Sequence, residues 1–139
     1  MQYSEFLFEL FCSLKALYQK NLKLSNMSFQ QILAILMVDN SGVEMSFFSK
    51  KLGIDNSTAT RLIDGLEKKK LVERQRDILD NRIIKVFLTK SGEKIYNSIE
   101  VQLEKIGYLI EQQLDENSKG GITESCVSLN WEIKKLLNR

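Results

Sequence analysis

The sequence predicts a mainly α-helical chain carrying one small β-hairpin, an α+β arrangement. Three observations predict it. Apolar residues recur every three or four positions over most of the chain. A glycine, Gly53, and a helix N-cap residue, Asp55, stand two positions apart and join two short helical segments by a very tight turn. Only residues 71–88 switch to short extended runs.

The elements follow in order. From Tyr3 to about Leu22 the apolar residues Phe6, Leu7, Leu10, Phe11, Leu14, Leu17 and Tyr18 keep helical spacing but cover a face too wide for a single contact. Ser28 and Gln31 form a capping box that opens a second helix, with Phe29, Ile32, Leu33, Leu36 and Met37 as its buried stripe and a stop near Asp39-Asn40-Ser41-Gly42. A short extended stretch, 43–45, leads to Ser46 as the next N-cap, with Phe48 and Leu52 facing inward and Gly53 as terminator. Asp55 then caps a helix whose inward stripe is Ala59, Leu62, Ile63 and Leu66, leaving Ser57, Thr60, Arg61, Asp64 and Lys68 on the other face. Residues 71–76 and 82–88 form a hairpin around Asp77-Ile78-Leu79-Asp80-Asn81. Thr89 caps a long helix with Ile95, Ile99, Leu103, Ile106, Ile110 and Leu114 at helical spacing, about 35 Å in extent. A break at 117–121 precedes a last helix, from about Thr123, whose inward residues are Cys126, Leu129, Ile133, Leu136 and Leu137.

At 139 residues the chain has room for one domain with a real core. Its longest apolar runs fall far short of a membrane span, and no basic stretch followed by an apolar run opens it, so a cytoplasmic location is expected. The two cysteines, Cys12 and Cys126, are far apart and lack CxxC spacing; both read as buried thiols. The chain has no histidine, which removes the commonest catalytic base and transition-metal ligand. No metal, cofactor or catalytic constellation is expected, and the chain does not read as an enzyme. Charge is uneven: residues 50–90 hold eleven Lys/Arg against six Asp/Glu, a net of +5, so the remainder carries −3 of the overall +2. A basic segment between acidic flanks suits a phosphate-binding module.

The segment LGIDNSTATRLIDGLEKKKLVERQRDILDNRIIKVFLTKSGEKI, Leu52 to Ile95, closely resembles the core of the multiple-antibiotic-resistance regulator (MarR) family. The most specific elements are Ser57-Thr58-Ala59-Thr60-Arg61-Leu62, the LEKKKLVER turn from helix into strand, and Asp80-Asn81-Arg82 with Leu88, Thr89 and Gly92 behind it. The resemblance implies a winged helix-turn-helix lobe, about 28–90, within a single domain spanning 1–139, with dimerisation helices at about 3–24 and 91–138. It further implies a homodimer that places recognition helices in successive major grooves of a pseudo-palindromic duplex and wings in the flanking minor grooves. Release of the DNA by a small molecule or by oxidation is the implied regulation. The function expected is a sequence-specific transcriptional regulator, a homodimeric repressor relieved by such an effector. The alternative is a winged-helix module that binds protein rather than DNA.

On this reading Asn56, Ser57, Thr60 and Arg61 meet the major groove, where Arg61 can donate twice to guanine while Ser57 and Thr60 suit phosphates, thymine methyls or bases. Lys68, Arg74, Arg76 and Arg82 serve the phosphates and the wing, with Arg74 and Arg76 as phosphate contacts or solvated strand charges. Asp80 stiffens the wing by pairing with Arg82, which can also place its guanidinium in a narrow minor groove. Cys12 lies roughly where the hydroperoxide-sensing branch keeps its reactive thiol, making it a candidate redox sensor, although its spacing to Tyr18 is not that branch's. Lys70 stands where the family commonly has glycine, so a differently shaped turn is expected. Phe47 and Phe87 replace polar or small residues and either cover a ligand pocket or pack on a neighbouring helix. The dimer interface expected from unburied apolar stripes comprises Phe6, Leu10, Leu14, Leu17, Ile106, Ile110, Ile133 and Leu137.

Overall fold

A computed structural model describes residues 2–139. The chain forms α1 (Tyr3–Asn21), α2 (Phe29–Leu36), β1 (Val43–Glu44), α3 (Met45–Leu52), α4 (Asn56–Lys68), β2 (Val72–Arg76), β3 (Ile84–Leu88), α5 (Lys90–Gln113) and α6 (Lys119–Leu137). Two compact units divide it, one running to Leu103 and one from Glu104 to Arg139.

The first unit holds the core. Ile32 and Ile35 of α2, Phe48 of α3, Ala59, Ile63 and Leu66 of α4, Val72 and Val86 of the hairpin, and Ile99 of α5 are all buried. The α2 start is built as the sequence predicts: Ser28 Oγ accepts the Gln31 amide, and Gln31 Oε1 accepts the Ser28 amide, each at 3.1 Å. The helix ends at Leu36, earlier than the expected stop near Asp39.

One local expectation is extended and two are corrected. The extended stretch after Gly42 is a true strand, because Val43 and Glu44 pair antiparallel with Val86 and Lys85, giving a three-stranded sheet of order β1-β3-β2. Glu44 therefore passes straight from strand into helix as the N-cap of α3, and Ser46 falls within the first turn, where its carbonyl accepts from Ser49 Oγ at 2.9 Å. Lys70 itself adopts a left-handed conformation, φ 59°, of the kind that glycine takes without strain. The Leu71 amide then reaches back to the Leu66 carbonyl at 3.0 Å, which closes the α4 C-terminus.

Behind that turn, the Thr89 amide donates to the Leu71 carbonyl and the Thr89 hydroxyl to the Lys70 carbonyl, while Thr89 Oγ1 caps α5 by accepting the Gly92 amide at 3.0 Å. A Cβ at Gly92 would collide with the Leu71 carbonyl. Close backbone approach, rather than a special φ, is the reason for glycine here. The loop after α1 is clamped to α5 by Gln102, whose side chain accepts the Lys23 amide at 3.0 Å and donates to its carbonyl at 3.3 Å.

In the second unit, α6 begins at Lys119, so Gly120 and Gly121 lie inside its first turn and the break between α5 and α6 falls at 114–118. Both α1 and α6 contain no buried residue. The expectation that Cys12 and Cys126 are buried fails for this reason: both thiols are exposed, because the helices that carry them have uncovered apolar faces in a single chain. No helix among the described residues is long and apolar enough to cross a membrane.

Candidate nucleic-acid interface

The tight turn between α3 and α4 sets the interface. Gly53 takes φ 65°, a left-handed value that ends α3, and two residues later Asp55 opens α4. The Asp55 carboxylate accepts from the Ser57 hydroxyl at 2.7 Å, the Thr58 amide at 2.7 Å and the Thr58 hydroxyl at 3.0 Å. These bonds, the Ser57 hydroxyl first and then the Thr58 amide, hold its pKa down at about 2. The charge also suits the positive end of the helix dipole.

With Ala59, Ile63 and Leu66 buried, helical periodicity turns Asn56, Ser57, Thr60, Arg61 and Lys68 outward, and all five are exposed. The structure thus brings Asn56, Ser57, Thr60 and Arg61 together on the first turns of α4, with Lys68 at its far end. Ser57 donates its proton to Asp55, and Thr60 donates its own to the Asn56 carbonyl at 2.9 Å. What these two hydroxyls offer outward is therefore acceptor lone pairs, suited to base amino groups. A phosphate oxygen, which only accepts, would require them to turn.

The turn after α4 reverses the chain, so β2 runs back along the helix toward its N-terminus. Arg74, at the middle of β2, lies over α4: its guanidinium donates to Asp64 at 2.5 Å, to Glu67 at 3.1 Å and to the Thr60 carbonyl at 3.3 Å. Its side chain is only 23 % exposed. This bracing part is absent from the sequence reading, and its signal was the pair of acidic residues at Asp64 and Glu67, one helical turn apart. Arg76, two residues further on, is exposed and bonds the Asn81 carbonyl at 2.8 Å.

The wing apex is tied down by its own polar groups. Asp77 Oδ1 accepts the amides of Leu79 and Asp80, its other oxygen pairs with Lys85 at 3.2 Å, and these partners lower its pKa, the Leu79 amide most. Asp80 receives both Nε and Nη2 of Arg82 at 3.0 Å, which lowers the Asp80 pKa and raises that of Arg82. The Arg82 side chain nevertheless remains almost fully exposed. Lys50 and Lys51, exposed at the end of α3, are further cations that the sequence reading passed over.

Phe87 packs its ring over the turn at Gly42, where a Cβ would clash with it, and Phe47 meets Phe48 edge-on with Lys51 over its face. Of the residues expected at a dimer interface, Phe6, Leu14, Ile110, Ile133 and Leu137 are exposed, and Leu10 and Leu17 are half-buried. Ile106 differs. It is 4 % exposed in the single chain and has no surface left to offer a second copy. Phe8, Phe11, Tyr108, Leu109, Val127 and Trp131 are exposed apolar residues beyond those expected, and the breadth of the apolar faces was the signal for them. Among the described residues no group of three or more His, Cys, Asp or Glu side chains is placed to hold a metal ion.

A tight two-helix turn, an outward polar and basic helix, and a braced hairpin beside it define a winged helix-turn-helix protein. Residues 26–84 match the MarR family model. Over 115 residues it is 29 % identical to the HTH-type transcriptional regulator YhbI of Bacillus subtilis, covering 77 % of this chain and 75 % of that one. The fold is similar to a MarR transcriptional regulator from Methanosarcina mazei Go1, with TM-score 0.80 and 25 % identity, over 95 % of this chain and 99 % of that one. It is also similar to Streptococcus pneumoniae FabT, solved in complex with DNA, with TM-score 0.78 and 23 % identity over 96 % of each chain.

Proposed function

We propose that this chain is a transcriptional regulator of the MarR family that binds a pseudo-palindromic DNA duplex as a homodimer and acts as a repressor, without catalytic activity, in the cytoplasm. The observation that carries the reading is the exposed cluster Asn56, Ser57, Thr60 and Arg61 at the capped N-terminal end of α4. Arg61 reads a guanine through its two donors, and Ser57 and Thr60 accept from base amino groups. Lys68, Arg76 and Arg82 engage phosphates and the minor groove, whereas Arg74 acts through the helix it braces.

Dimerisation rests on the exposed apolar residues: Phe6 and Leu14, with half-buried Leu10 and Leu17, in the first unit, and Ile110, Ile133 and Leu137 in the second. Large exposed apolar patches are uncommon on monomers and mark sites of association. Within a single domain 1–139, the lobe at about 28–90 reads DNA, and the helices at about 3–24 and 91–138 supply the interface. An effector, a small molecule or an oxidant acting at exposed Cys12, releases the duplex. In the first unit an open groove of about 350 Å³ lined by Val38, Asp39, Asn40, Leu88, Glu93, Tyr96 and Asn97 is large enough for a small ligand.

Binding-site selection from a random duplex library tests the reading. Wild-type protein is expected to recover an inverted repeat with half-site centres about 10 bp apart. Arg61→Ala is expected to lose preference at one base per half-site, at a cost of about 1–3 kcal/mol, while Arg76→Ala weakens all sequences alike. Recovery of no common sequence, or of one unaltered by Arg61→Ala, would count against it.

A further inference from the structure

The wing apex carries the two most solvent-exposed large apolar side chains described, Ile78 at 98 % and Leu79 at 97 %. Loop tips are ordinarily built from Gly, Asn, Asp, Ser or Pro, whose side chains cost nothing in water and serve the turn. Here Asp77 and Asp80 do the work of the turn. Asp77 Oδ1 receives the amides of Leu79 and Asp80 at 2.8 and 3.1 Å, the Asp77 amide donates to the Ile83 carbonyl at 2.9 Å, and the Ile83 amide donates to the Asp80 carbonyl at 3.0 Å. The result is a pre-ordered knob, its two aliphatic side chains at the tip, that loses little conformational freedom when it docks.

The neighbouring groups indicate what it docks on. Both apex carboxylates are matched by cations of the same hairpin, Asp77 by Lys85 and Asp80 by Arg82, and Arg76 adds a further charge, so the tip offers net positive charge around an apolar centre. Position agrees. Arg74 lies over Thr60 and Asp64, and β2 advances about 3.3 Å per residue toward the α4 N-terminus, so Arg76 comes about level with the first turn of α4. The apex is therefore carried to the same end of the lobe as Asn56, Ser57 and Arg61.

We propose that Ile78 and Leu79 form an apolar knob that enters the minor groove beside the recognition site and selects A·T pairs there. The proposal rests on the duplex-binding reading and adds a specificity determinant to it. In the minor groove a guanine presents its N2 amino group, whereas A·T pairs present only acceptors. An aliphatic side chain strips water from that amino group and supplies no acceptor, which disfavours G·C. The narrower groove of A·T runs instead brings its apolar sugar walls onto the knob and its negative potential onto Arg76 and Arg82.

The test uses the full chain and the best duplex recovered by selection, prepared with A·T, G·C or inosine·cytosine pairs at the wing-contacted flanks. Inosine lacks the minor-groove amino group but keeps the major-groove face of guanine. Wild type is expected to bind the A·T and inosine duplexes about tenfold more tightly than the G·C duplex. Ile78→Ser/Leu79→Ser, checked for folding by circular dichroism, is expected to lose most of this discrimination, keeping at most the small A·T preference that Arg76 and Arg82 supply, and the conservative Ile78→Val/Leu79→Ile to keep it in full. Equal binding of the three duplexes by wild type overturns the knob and leaves the duplex reading intact, as does discrimination that is undiminished in the serine variant. Failure of wild type to bind any of the three duplexes more tightly than unrelated duplex overturns both readings together.

Discussion

The Arg74 guanidinium lies 2.5 Å from the Asp64 carboxylate and fastens strand β2 to the recognition helix α4. The same guanidinium reaches Glu67 and the Thr60 carbonyl, so one side chain spans two turns of the helix. The wing and the helix are thereby held at a fixed spacing. A lysine has one point charge and cannot fork between two carboxylates in this way.

Arg74→Ala is accordingly expected to lower unfolding stability by about 1 kcal/mol, since the ion pair is only partly buried, and to weaken duplex binding. A phosphate contact is distinguished by salt. Loss of a bracing residue leaves the slope of log K against log salt unchanged, whereas loss of a phosphate contact reduces it by about 1. Arg74→Lys should restore neither stability nor affinity. An unchanged stability together with a reduced slope would assign Arg74 to the phosphates.

Lys70 holds φ 59° at the end of α4. A side chain there costs on the order of 1 kcal/mol, partly offset by the greater freedom glycine gives the unfolded chain. Lys70→Gly is expected to raise the denaturant midpoint by up to about 1 kcal/mol equivalent without altering the fold. Lys70→Val is expected to lower it, because a β-branched residue is the least suited to this region. A destabilised glycine variant would show that the turn is not under strain.

Asp55 has its pKa lowered to about 2 by bonds to Ser57 and Thr58. A group depressed in the folded state adds stability that is present above its ordinary pKa, near 3.8, and disappears as pH falls through the folded value. Asp77 and Asp80 are shifted in the same direction. Thermal stability should therefore decline as pH drops from about 4 to about 2. Asp55→Asn keeps a cap acceptor but cannot titrate, and its melting temperature should fall less over this window. An equal fall in both proteins would remove Asp55 from the acid response.

Ile110 is 41 % exposed in the single chain, so a charge there does little harm to a protomer. In a dimer the same charge is buried without a partner, at a cost of several kcal/mol. Sedimentation equilibrium is expected to find wild type dimeric and Ile110→Glu monomeric at micromolar concentration, with duplex affinity lost because one half-site alone binds weakly. A monomeric wild type that still binds a full site tightly would refute the dimer.

Much of this was legible in the sequence because local rules coincided. The capping box at Ser28 and Gln31, the Gly53 and Asp55 turn and the Ala59, Ile63 and Leu66 stripe are short-range patterns, and each appears in the fold. What was missed depends on partners distant in sequence. The N-cap at Glu44 follows from pairing of β1 with β3, some forty residues away, and a serine-based cap rule cannot anticipate it. Arg74 looked like a surface strand charge because nothing in β2 reveals the carboxylates across from it. The burial of Ile106 and the exposure of Cys12 and Cys126 are likewise set by which helix faces find cover. The outward cluster on α4 was readable from helical phase, but the inward donation of the Ser57 and Thr60 hydroxyls was not.

The central claim is that the α4 cluster and the wing together bind duplex DNA through its phosphates and bases. Titration of labelled duplex from the selected site across salt concentrations measures this most directly. With about six to ten phosphates neutralised per dimer, affinity should fall roughly 10³- to 10⁵-fold between about 50 and about 200 mM salt. At fixed salt the selected site should be bound at least about 10³-fold more tightly than unrelated duplex. Binding that is indifferent to salt, or equal for the selected and unrelated sequences, would contradict the account.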